Sequence, residues 1–255
     1  MEPPPVVDIR GLVKAYGDFQ AVRELSLQVQ PGEVFVLLGP NGAGKTTTIR
    51  MLMGILKPTA GSAAILGLDC FADRPEIMRS VGYLPDEPVF YDYLSGRELI
   101  QFVGQMHGQS PDQTERVAGP LVERLQLADA WCEYAVNYSR GMKKKLALVC
   151  ALCHAPRLLI MDEPTNGLDP LTTRTLHEMI RSHAAGGGSV FLSTHLLDQA
   201  ERLCDRVGIL SEGVLAALGR LDELRVLARE GGTLEEIFFS VTSPGVSGEG
   251  EGPPR

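Results

Sequence analysis

The pattern of hydrophobic and polar residues changes from alternation to continuous runs early in the chain. Leu25, Leu27 and Val29 alternate with polar residues, which places them on one face of a predicted strand. A Pro-Gly pair at residues 31–32 then predicts a turn. Residues 34–38 are all apolar, which predicts a strand buried on both faces. These patterns predict a small antiparallel sheet beside the first strand of a buried sheet.

Three later apolar runs alternate with helical stretches. They occupy residues 158–161, 190–192 and 207–210. Buried strands that alternate with helices are typical of a parallel sheet. Two shorter segments, residues 63–66 and 81–84, predict further strands, and the first of these returns to the antiparallel sheet.

A helical period replaces the strand pattern between about residues 92 and 150. A capping box at residues 95–98 starts one predicted helix, a second is predicted from about 111 to 127, and a third begins after Ser139. A further capping box predicts a short C-terminal helix at about 233–240. The sequence therefore predicts a helical subdomain inserted into an α/β domain.

The expected domain covers residues 1–242, with antiparallel β elements at about 6–30 and 62–72. The rest of residues 1–242, outside these β elements and the helical subdomain, forms the predicted catalytic core, which includes the C-terminal helix at about 233–240. Residues 243–255 are rich in glycine, proline and glutamate, and are predicted to be a disordered tail.

The net charge and the lengths of the apolar stretches indicate which classes of partner and location to expect. The net charge of −8 argues against a general nucleic-acid surface, because neutralising phosphates requires a basic face. No apolar stretch approaches the ~18 residues that cross a bilayer, and the first residues lack the pattern of a signal peptide. We therefore expect a soluble chain that is not secreted through a signal of its own and has no nucleic-acid partner.

The cysteine pattern does not predict a disulfide framework, a redox site or a metal site. Five cysteines at irregular spacing fit a reducing cytoplasm better than a disulfide framework. Cys150 and Cys153 form a C-x-x-C, but they lie on an apolar helical face, so we expect them to pack in the core.

Residues 39–46 carry the clearest chemical signal. They read Gly-Pro-Asn-Gly-Ala-Gly-Lys-Thr, the G-x-x-x-x-G-K-[ST] phosphate-binding loop, between a buried strand and a predicted helix. Glycines let backbone N–H groups turn towards one anion, the helix dipole points at the same spot, and Lys45 adds a full charge. Thr46 is predicted to hold Mg²⁺ through its hydroxyl. The predicted nucleotide contacts here are Gly39, Pro40, Asn41, Gly42, Ala43, Gly44, Lys45, Thr46 and Thr47.

Two carboxylates and a histidine follow buried strands. Asp162 and Glu163 come directly after residues 158–161, and His195 follows the next apolar strand. Strand ends in such sheets open onto the ligand crevice. Asp162 is therefore predicted to reach Mg²⁺, directly or through water, and Glu163 to deprotonate an attacking water. His195 is predicted to hydrogen-bond the γ-phosphate, so the predicted catalytic residues are Glu163, His195 and Lys45.

Together these residues resemble the ATP-binding subunits of ABC transporters over about residues 6–242. The resemblance implies that Tyr16 stacks on adenine, that residues 39–47 form Walker A and that Asp162-Glu163 end Walker B. It also implies that Asp169 lies on the loop that crosses the dimer interface and that His195 is the switch histidine. It implies ATP and Mg²⁺ as cofactors. The implied fold is α/β: a P-loop NTPase (RecA-like) core with a parallel sheet, an antiparallel β subdomain and an inserted α-helical subdomain.

The signature and the segment after residues 81–84 depart from the family pattern. The family signature reads Leu-Ser-Gly-Gly-Gln, and its serine and second glycine are present here as Ser139 and Gly141, which are implied to bind nucleotide. Arg140 replaces its first glycine, and Met142 replaces its glutamine. Arg140 either adds charge to the facing phosphate or points to solvent. Asp86 stands where most members carry glutamine; it can ligate Mg²⁺ but cannot donate a hydrogen bond as an amide can.

The resemblance also implies partners and a place in the cell. Two subunits would pack head to tail, as a homodimer in our interpretation, and drive a separate integral membrane permease, as an exporter, from the cytoplasmic face of the cell membrane. Tyr91, Tyr93 and Leu94 either contact that permease or belong to a self-packed loop. An alternative hypothesis is a soluble ABC ATPase that remodels a cytoplasmic complex, and another is a switch that binds ATP without hydrolysing it.

Overall fold

The computed structural model describes residues 3–227 and 233–242. In chain order its strands are β1 (Val7–Tyr16), β2 (Phe19–Val29), β3 (Val34–Leu38), β4 (Ala60–Ile65), β5 (Leu68–Asp69), β6 (Val81–Leu84), β7 (Leu158–Asp162), β8 (Ser189–Thr194), β9 (Arg206–Ser211) and β10 (Val214–Gly219). Its α-helices are α1 (Lys45–Leu52), α2 (Arg74–Met78), α3 (Gly96–Met106), α4 (Pro111–Arg124), α5 (Arg140–Leu152), α6 (Pro170–Ala185), α7 (Leu197–Leu203), α8 (Leu221–Leu227) and α9 (Leu234–Thr242).

The strands form two sheets. An antiparallel sheet has the order β2-β1-β4-β5, and a six-stranded sheet has the order β10-β9-β3-β8-β7-β6. In the larger sheet β6, β7, β8, β3 and β9 are mutually parallel, and β10 joins the edge antiparallel to β9. Parallel strands share one direction, so the segments that leave β3, β7 and β8 emerge at the same edge.

The parallel sheet is buried on both faces, as its continuous apolar runs predict. Val34, Val36 and Leu38 point into one hydrophobic cluster, while Phe35 and Leu37 point into the other. The first cluster includes residues of the inserted helices, α6 and α7, and the second includes residues of α1 and the antiparallel sheet. Apolar residues on alternate sides of one strand therefore fix it between two layers.

The inserted helices begin where their caps predict. Ser95 and Ser110 each form a capping box, with Glu98 and Gln113 respectively, and Ser139 caps α5 by accepting a hydrogen bond from the next turn. Each cap satisfies N–H groups that a helix start leaves without partners, which fixes the first residue of each helix.

Three elements were not predicted, and one helix is shorter than predicted. Strand β10, α2 and α8 are additional, and α4 ends at Arg124 instead of continuing to residue 127. The β9–β10 hairpin turns at Glu212 and Gly213, which both have positive φ (47° and 82°), as a two-residue type I′ turn requires. The tail predicted at residues 243–255 lies outside the described residues.

Gly82 marks a close approach of β6 to α5. A methyl group at Gly82 would overlap the backbone carbonyl of Ala151 on α5. Helix α5 therefore packs directly against the edge strand of the parallel sheet.

The Gly82→Ala variant is expected to lower the free energy of unfolding by about 1–3 kcal/mol, because backbone atoms must move to admit the methyl group. Gly186→Ala is the control: its φ of −77° suits alanine, an added Cβ meets nothing closer than 3.4 Å, and the expected change is within about 0.5 kcal/mol. Urea denaturation measures both, and equal effects would contradict the close contact.

Candidate nucleotide-binding site

The phosphate-binding loop leads directly into α1. Gly44 precedes the helix with a φ of 105°, and a side chain there would overlap the carbonyl of Ala21, so the loop requires glycine at this point. Among the described residues no side chain caps α1, and its first turn contains no acidic residue. The N–H groups and the positive end of the helix dipole are therefore open to an anion.

A cleft of about 590 Å³ lies over this loop. Tyr16 and Phe19 stand at the antiparallel sheet with exposed rings, 52% and 61% accessible, and Lys14 Nζ lies 5.2 Å from the centre of the Tyr16 ring. Exposed aromatic rings beside a phosphate loop provide a stacking surface for a base. The cleft is lined by Tyr16, Phe19, Ala21, Asn41, Gly42, Gly44, Lys45, Thr46, Thr47, Asp86, Glu163, Asn166 and His195.

Lys45 is buried at the base of the cleft. Its Nζ donates to the carbonyl oxygens of Gly39 and Pro40, at 2.7 and 3.1 Å, and forms an ion pair with Glu163 Oε1 at 3.2 Å. The predicted loop residues Gly39 and Pro40 thus hold the lysine through their backbones, while Ala43 packs in the core. The ammonium is placed between the loop and the catalytic carboxylate predicted from the sequence.

Glu163 lies just past the end of β7, with an unusual backbone. Its φ is 45°, and its N–H donates to the Ser193 carbonyl at 3.1 Å. Oε2 lies 2.9 Å from His195 Nδ1, and within the described part of the chain Oε1 has no hydrogen-bond donor beyond its ion pair with Lys45. The carboxylate is therefore held through both oxygens, Oε2 by His195 and Oε1 by the Lys45 ammonium, and Oε1 is buried in this structure.

Asp162 and Asp86 occupy different surroundings. Asp162 is 2% exposed and its Oδ1 accepts a hydrogen bond from Ser193 Oγ at 2.5 Å, so it lies beneath the cleft rather than on its wall. Asp86 does line the cleft, and its Oδ1 accepts a hydrogen bond from Asn166 Nδ2 at 3.1 Å. Only Asp86 of the two faces the open space directly.

The oxygen donors of Thr46, Asp86 and Asp162 suit Mg²⁺ in kind. Mg²⁺ in nucleotide sites is held by one or two protein oxygens together with phosphate oxygens and water. Across residues 3–227 and 233–242, no three His, Cys, Asp or Glu side chains are close enough to hold a metal by themselves. The site therefore fits a metal that arrives with a phosphate ligand.

The signature segment lies apart from this cleft. Ser139 Oγ accepts a hydrogen bond from the Met142 N–H at 3.2 Å, and Gly141 is close to the carbonyl of Gly167. The Arg140 guanidinium is exposed and lies 3.4 Å from Glu87 Oε1. Neither Ser139 nor Gly141 lines the cleft, so one chain does not bring the signature to its own phosphate loop.

Asp169 also lies outside the cleft. Its carboxylate accepts hydrogen bonds from the N–H and the hydroxyl of Thr172, at 2.9 and 2.6 Å, and thereby caps α6. The hydrogen bond from the Thr172 hydroxyl, above all, lowers the pKa of Asp169. The residue implied to lie on an interface loop is thus first a helix cap within this chain.

Several residues of the site escaped sequence reasoning. Phe19 and Asn166 line the cleft, Ser193 binds Asp162, and Lys144 donates to backbone carbonyls beside the cleft. Burial lowers the pKa of Lys144, an effect that the Asp86 carboxylate opposes. Two features of the sequence could have pointed to Ser193 and Lys144: a serine at the end of an apolar strand, and a lysine among the apolar residues of the buried face of α5.

Comparison with known proteins agrees with this geometry. The family model described as ABC transporter matches residues 22–166, more than half of the 255-residue chain. The chain belongs to the ABC transporter family. It is an ATP-binding protein of that family, whose members hydrolyse ATP to power transport.

Two curated relatives illustrate the similarity. The ABC transporter ATP-binding protein YdbJ of Bacillus subtilis (strain 168) is 41% identical over 214 residues, covering 84% of this chain and 68% of YdbJ. The bacitracin transport ATP-binding protein BcrA of Bacillus licheniformis is 37% identical over 225 residues, covering 86% of this chain and 71% of BcrA. The similarity thus extends over most of this ABC protein.

Solved structures confirm the predicted fold class. The ATP-binding subunit of an ABC transporter superimposes with a TM-score of 0.88 at 33% identity, over 92% of this chain and 99% of that one. A nucleotide-free ATP-binding cassette, at 23% identity and a TM-score of 0.75, shows the shared fold alone. Within the described ranges, no helix has both the length and the apolar character needed to cross a membrane.

The Ser193→Ala variant is expected to lower the free energy of unfolding by about 1–3 kcal/mol, because it removes the hydroxyl donor of a buried carboxylate. Ser62→Ala, at an exposed position of β4, is the control, with an expected change within about 0.5 kcal/mol. Urea denaturation compares the two. Indistinguishable stabilities would contradict the buried Ser193–Asp162 hydrogen bond.

Proposed function

We propose that this chain is the ATP-binding subunit of an exporter, and that it hydrolyses MgATP at the interface of a head-to-tail homodimer. One observation carries the proposal: the Glu163 carboxylate lies between Lys45 and His195 at the base of the cleft over the phosphate loop. A carboxylate held in that place can accept the proton of a water that attacks the outer phosphate.

Nucleotide binding would use the loop and the aromatic pair. The base stacks on Tyr16, with Phe19 beside it, and the phosphates accept hydrogen bonds from the backbone N–H groups of residues 39–47. Lys45 already lies within hydrogen-bonding distance of carbonyl oxygens and a carboxylate. An incoming phosphate offers the same ammonium a stronger anionic partner.

The hydrolytic step would be carried by Glu163. Oε1 pairs with Lys45 in this structure, and it takes the proton from water once a phosphate has become the partner of the lysine. His195, whose Nδ1 lies 2.9 Å from Oε2, keeps the carboxylate oriented and contacts the γ-phosphate. Mg²⁺, which Thr46 and Asp86 would hold with the phosphates and Asp162 through water, would supply positive charge to oxygens that become more negative during the reaction.

The position of the signature supports a dimer. Ser139 and Gly141 lie at the N-terminus of α5, outside the cleft of their own chain. A helix N-terminus is an anion site, so in a second copy packed head to tail it would complete the binding of the phosphates. Asp169 would lie at the same interface. A site completed by two chains stabilises their association only while ATP is bound.

A membrane partner is supported by the surface around the inserted helices. An apolar groove of about 610 Å³ runs between α2, β6, α3 and α5. In the segment before α3, Tyr91 and Tyr93 are 66% and 87% exposed, and the Tyr91 ring lies 6.1 Å from that of Phe102 on α3. Exposed apolar surface of this kind marks an interaction site. The name of BcrA, a bacitracin transport ATP-binding protein, supports a role in transport. We propose that the transport is export, with this chain peripheral on the cytoplasmic face of the membrane.

The Glu163→Gln variant is expected to hydrolyse ATP about 10²–10⁴-fold more slowly, because glutamine cannot accept the proton. ATP-dependent dimers should remain detectable by size-exclusion chromatography, since the amide keeps the size of the side chain. Glu178→Gln, at an exposed position of α6, is the control and is expected to keep wild-type turnover. Turnover near wild type in Glu163→Gln would reject the assigned base.

Purification of the tagged chain from detergent-solubilised cells is expected to recover a multi-helix membrane protein in near-equal amount. Mass spectrometry identifies the companions, and an ATPase assay follows activity in the eluate. Recovery of soluble complexes alone, with ATPase activity that does not respond to lipid, would instead support remodelling of a cytoplasmic complex.

A further inference from the structure

Lys144 carries a buried ammonium group that the proposed hydrolysis does not use. It lies on α5, and the side chain is 2% exposed. Nζ donates to the carbonyl oxygens of Pro85 at 3.1 Å, Asp86 at 2.8 Å and Glu163 at 3.0 Å. An ammonium has three N–H donors, so each of them has an acceptor.

The three carbonyls belong to segments that leave two neighbouring strands. Pro85 and Asp86 follow β6, and Glu163 follows β7; the two strands pair in parallel, with Leu84 opposite Met161 at the last paired position. Beyond that pair the sheet no longer joins the two segments. The Lys144 ammonium therefore holds together two stretches of backbone at the point where the sheet releases them.

The backbone of Glu163 needs contacts of this kind. Its φ of 45° lies in the left-handed region, which residues other than glycine rarely adopt. Its N–H donates to the Ser193 carbonyl on β8, and its carbonyl accepts from Lys144 on α5. The two bonds fix the residue from both sides, and the direction of the carboxylate follows from this backbone conformation.

Asp86 offsets the charge that Lys144 brings into the interior. Its Oδ1 lies 3.6 Å from Nζ and accepts a hydrogen bond from Asn166 Nδ2 at 3.1 Å. The resembled family carries glutamine at this position, and a neutral amide would leave the buried ammonium without its nearby negative charge. In this chain the carboxylate at position 86 and the ammonium at position 144 form a matched pair.

We propose that Lys144 is a positioning residue for Glu163, fixing the backbone of the general base to the segment that follows β6. The inference rests on the proposed role of Glu163 in hydrolysis. Lys144 does not touch the reacting atoms; it acts through the carbonyl of Glu163.

The Lys144→Met variant keeps an apolar stem of similar length and removes the donors. The kcat for ATP hydrolysis by the purified chain is expected to fall about 10- to 100-fold, because a displacement of about 1 Å in a catalytic group has effects of that size. The Kd for a fluorescent ATP analogue should stay within about twofold. Lys57→Met, the same substitution at an exposed lysine before β4, is the control, and wild-type kcat is expected.

Combining Lys144→Met with Glu163→Gln separates a positioning role from a general structural one. A residue that acts through the carboxylate has no further effect once the carboxylate is gone, so the double variant should match Glu163→Gln within about twofold. Single-turnover hydrolysis of radiolabelled ATP measures these low rates. Losses that multiply would overturn the inference.

The single variants distinguish the two proposals. Near-wild-type turnover in Glu163→Gln would remove the base and the positioning role together. Loss of turnover in Glu163→Gln with wild-type kcat in Lys144→Met would overturn only the positioning role.

A second substitution keeps the test decisive if Lys144→Met does not fold, as judged by circular dichroism and thermal unfolding. Lys144→Gln retains two N–H donors at a shorter reach. We expect it to fold and to bind the ATP analogue as the wild type does. Its kcat should be lower than that of the wild type and, where both variants are measured, higher than that of Lys144→Met. A folded Lys144→Gln variant with wild-type kcat would overturn the inference.

Discussion

The ion pair between Lys45 and Glu163 is the interaction on which the arrangement of the cleft depends. It joins the phosphate loop to the end of β7, with Nζ and Oε1 3.2 Å apart and less than a tenth of either side chain exposed. Removing two charges from water costs several kcal/mol per ion, so such a pair is a weak source of stability. The carbonyls of Gly39 and Pro40 and the imidazole of His195 offset this cost by giving each charge further partners. The pair is better explained by chemistry, since a phosphate can replace the carboxylate as partner of the lysine.

The parallel sheet brings these groups together because its strands end at one edge. Strand β3 leads into the phosphate loop, β7 into Glu163 and β8 into His195, and β8 lies between the other two. Every residue of these three strands is buried. Layers of apolar side chains on both faces hold the strands, so the polar groups at their ends are placed by a rigid backbone.

The parts of this arrangement that could be predicted have local signals. The phosphate loop, the apolar strand before Asp162 and the cap at Ser139 are each contained in a few consecutive residues. Strand β10 was missed because its short apolar run, residues 214–218, consists mostly of alanine and leucine, which favour helices over strands. Lys144 and Ser193 were missed for another reason: their partners, Glu163 and Asp162, are 19 and 31 residues away in sequence. The pairing of β7 with β8 brings Ser193 to Asp162, and the packing of α5 against the sheet brings Lys144 to Glu163.

The two departures from the family pattern differ in how firmly they are held. Arg140 is paired with Glu87 at 3.4 Å, and both side chains are mostly exposed (65% and 78%). Exposed pairs contribute about 0–1 kcal/mol, so Arg140 can exchange its partner at little cost. Asp86 is held by Asn166 and by the buried ammonium of Lys144, so moving it would disturb the segment beside Glu163. In the proposed dimer Arg140 is therefore free to meet a phosphate bound by the second copy, whereas Asp86 belongs to the fixed frame around the base.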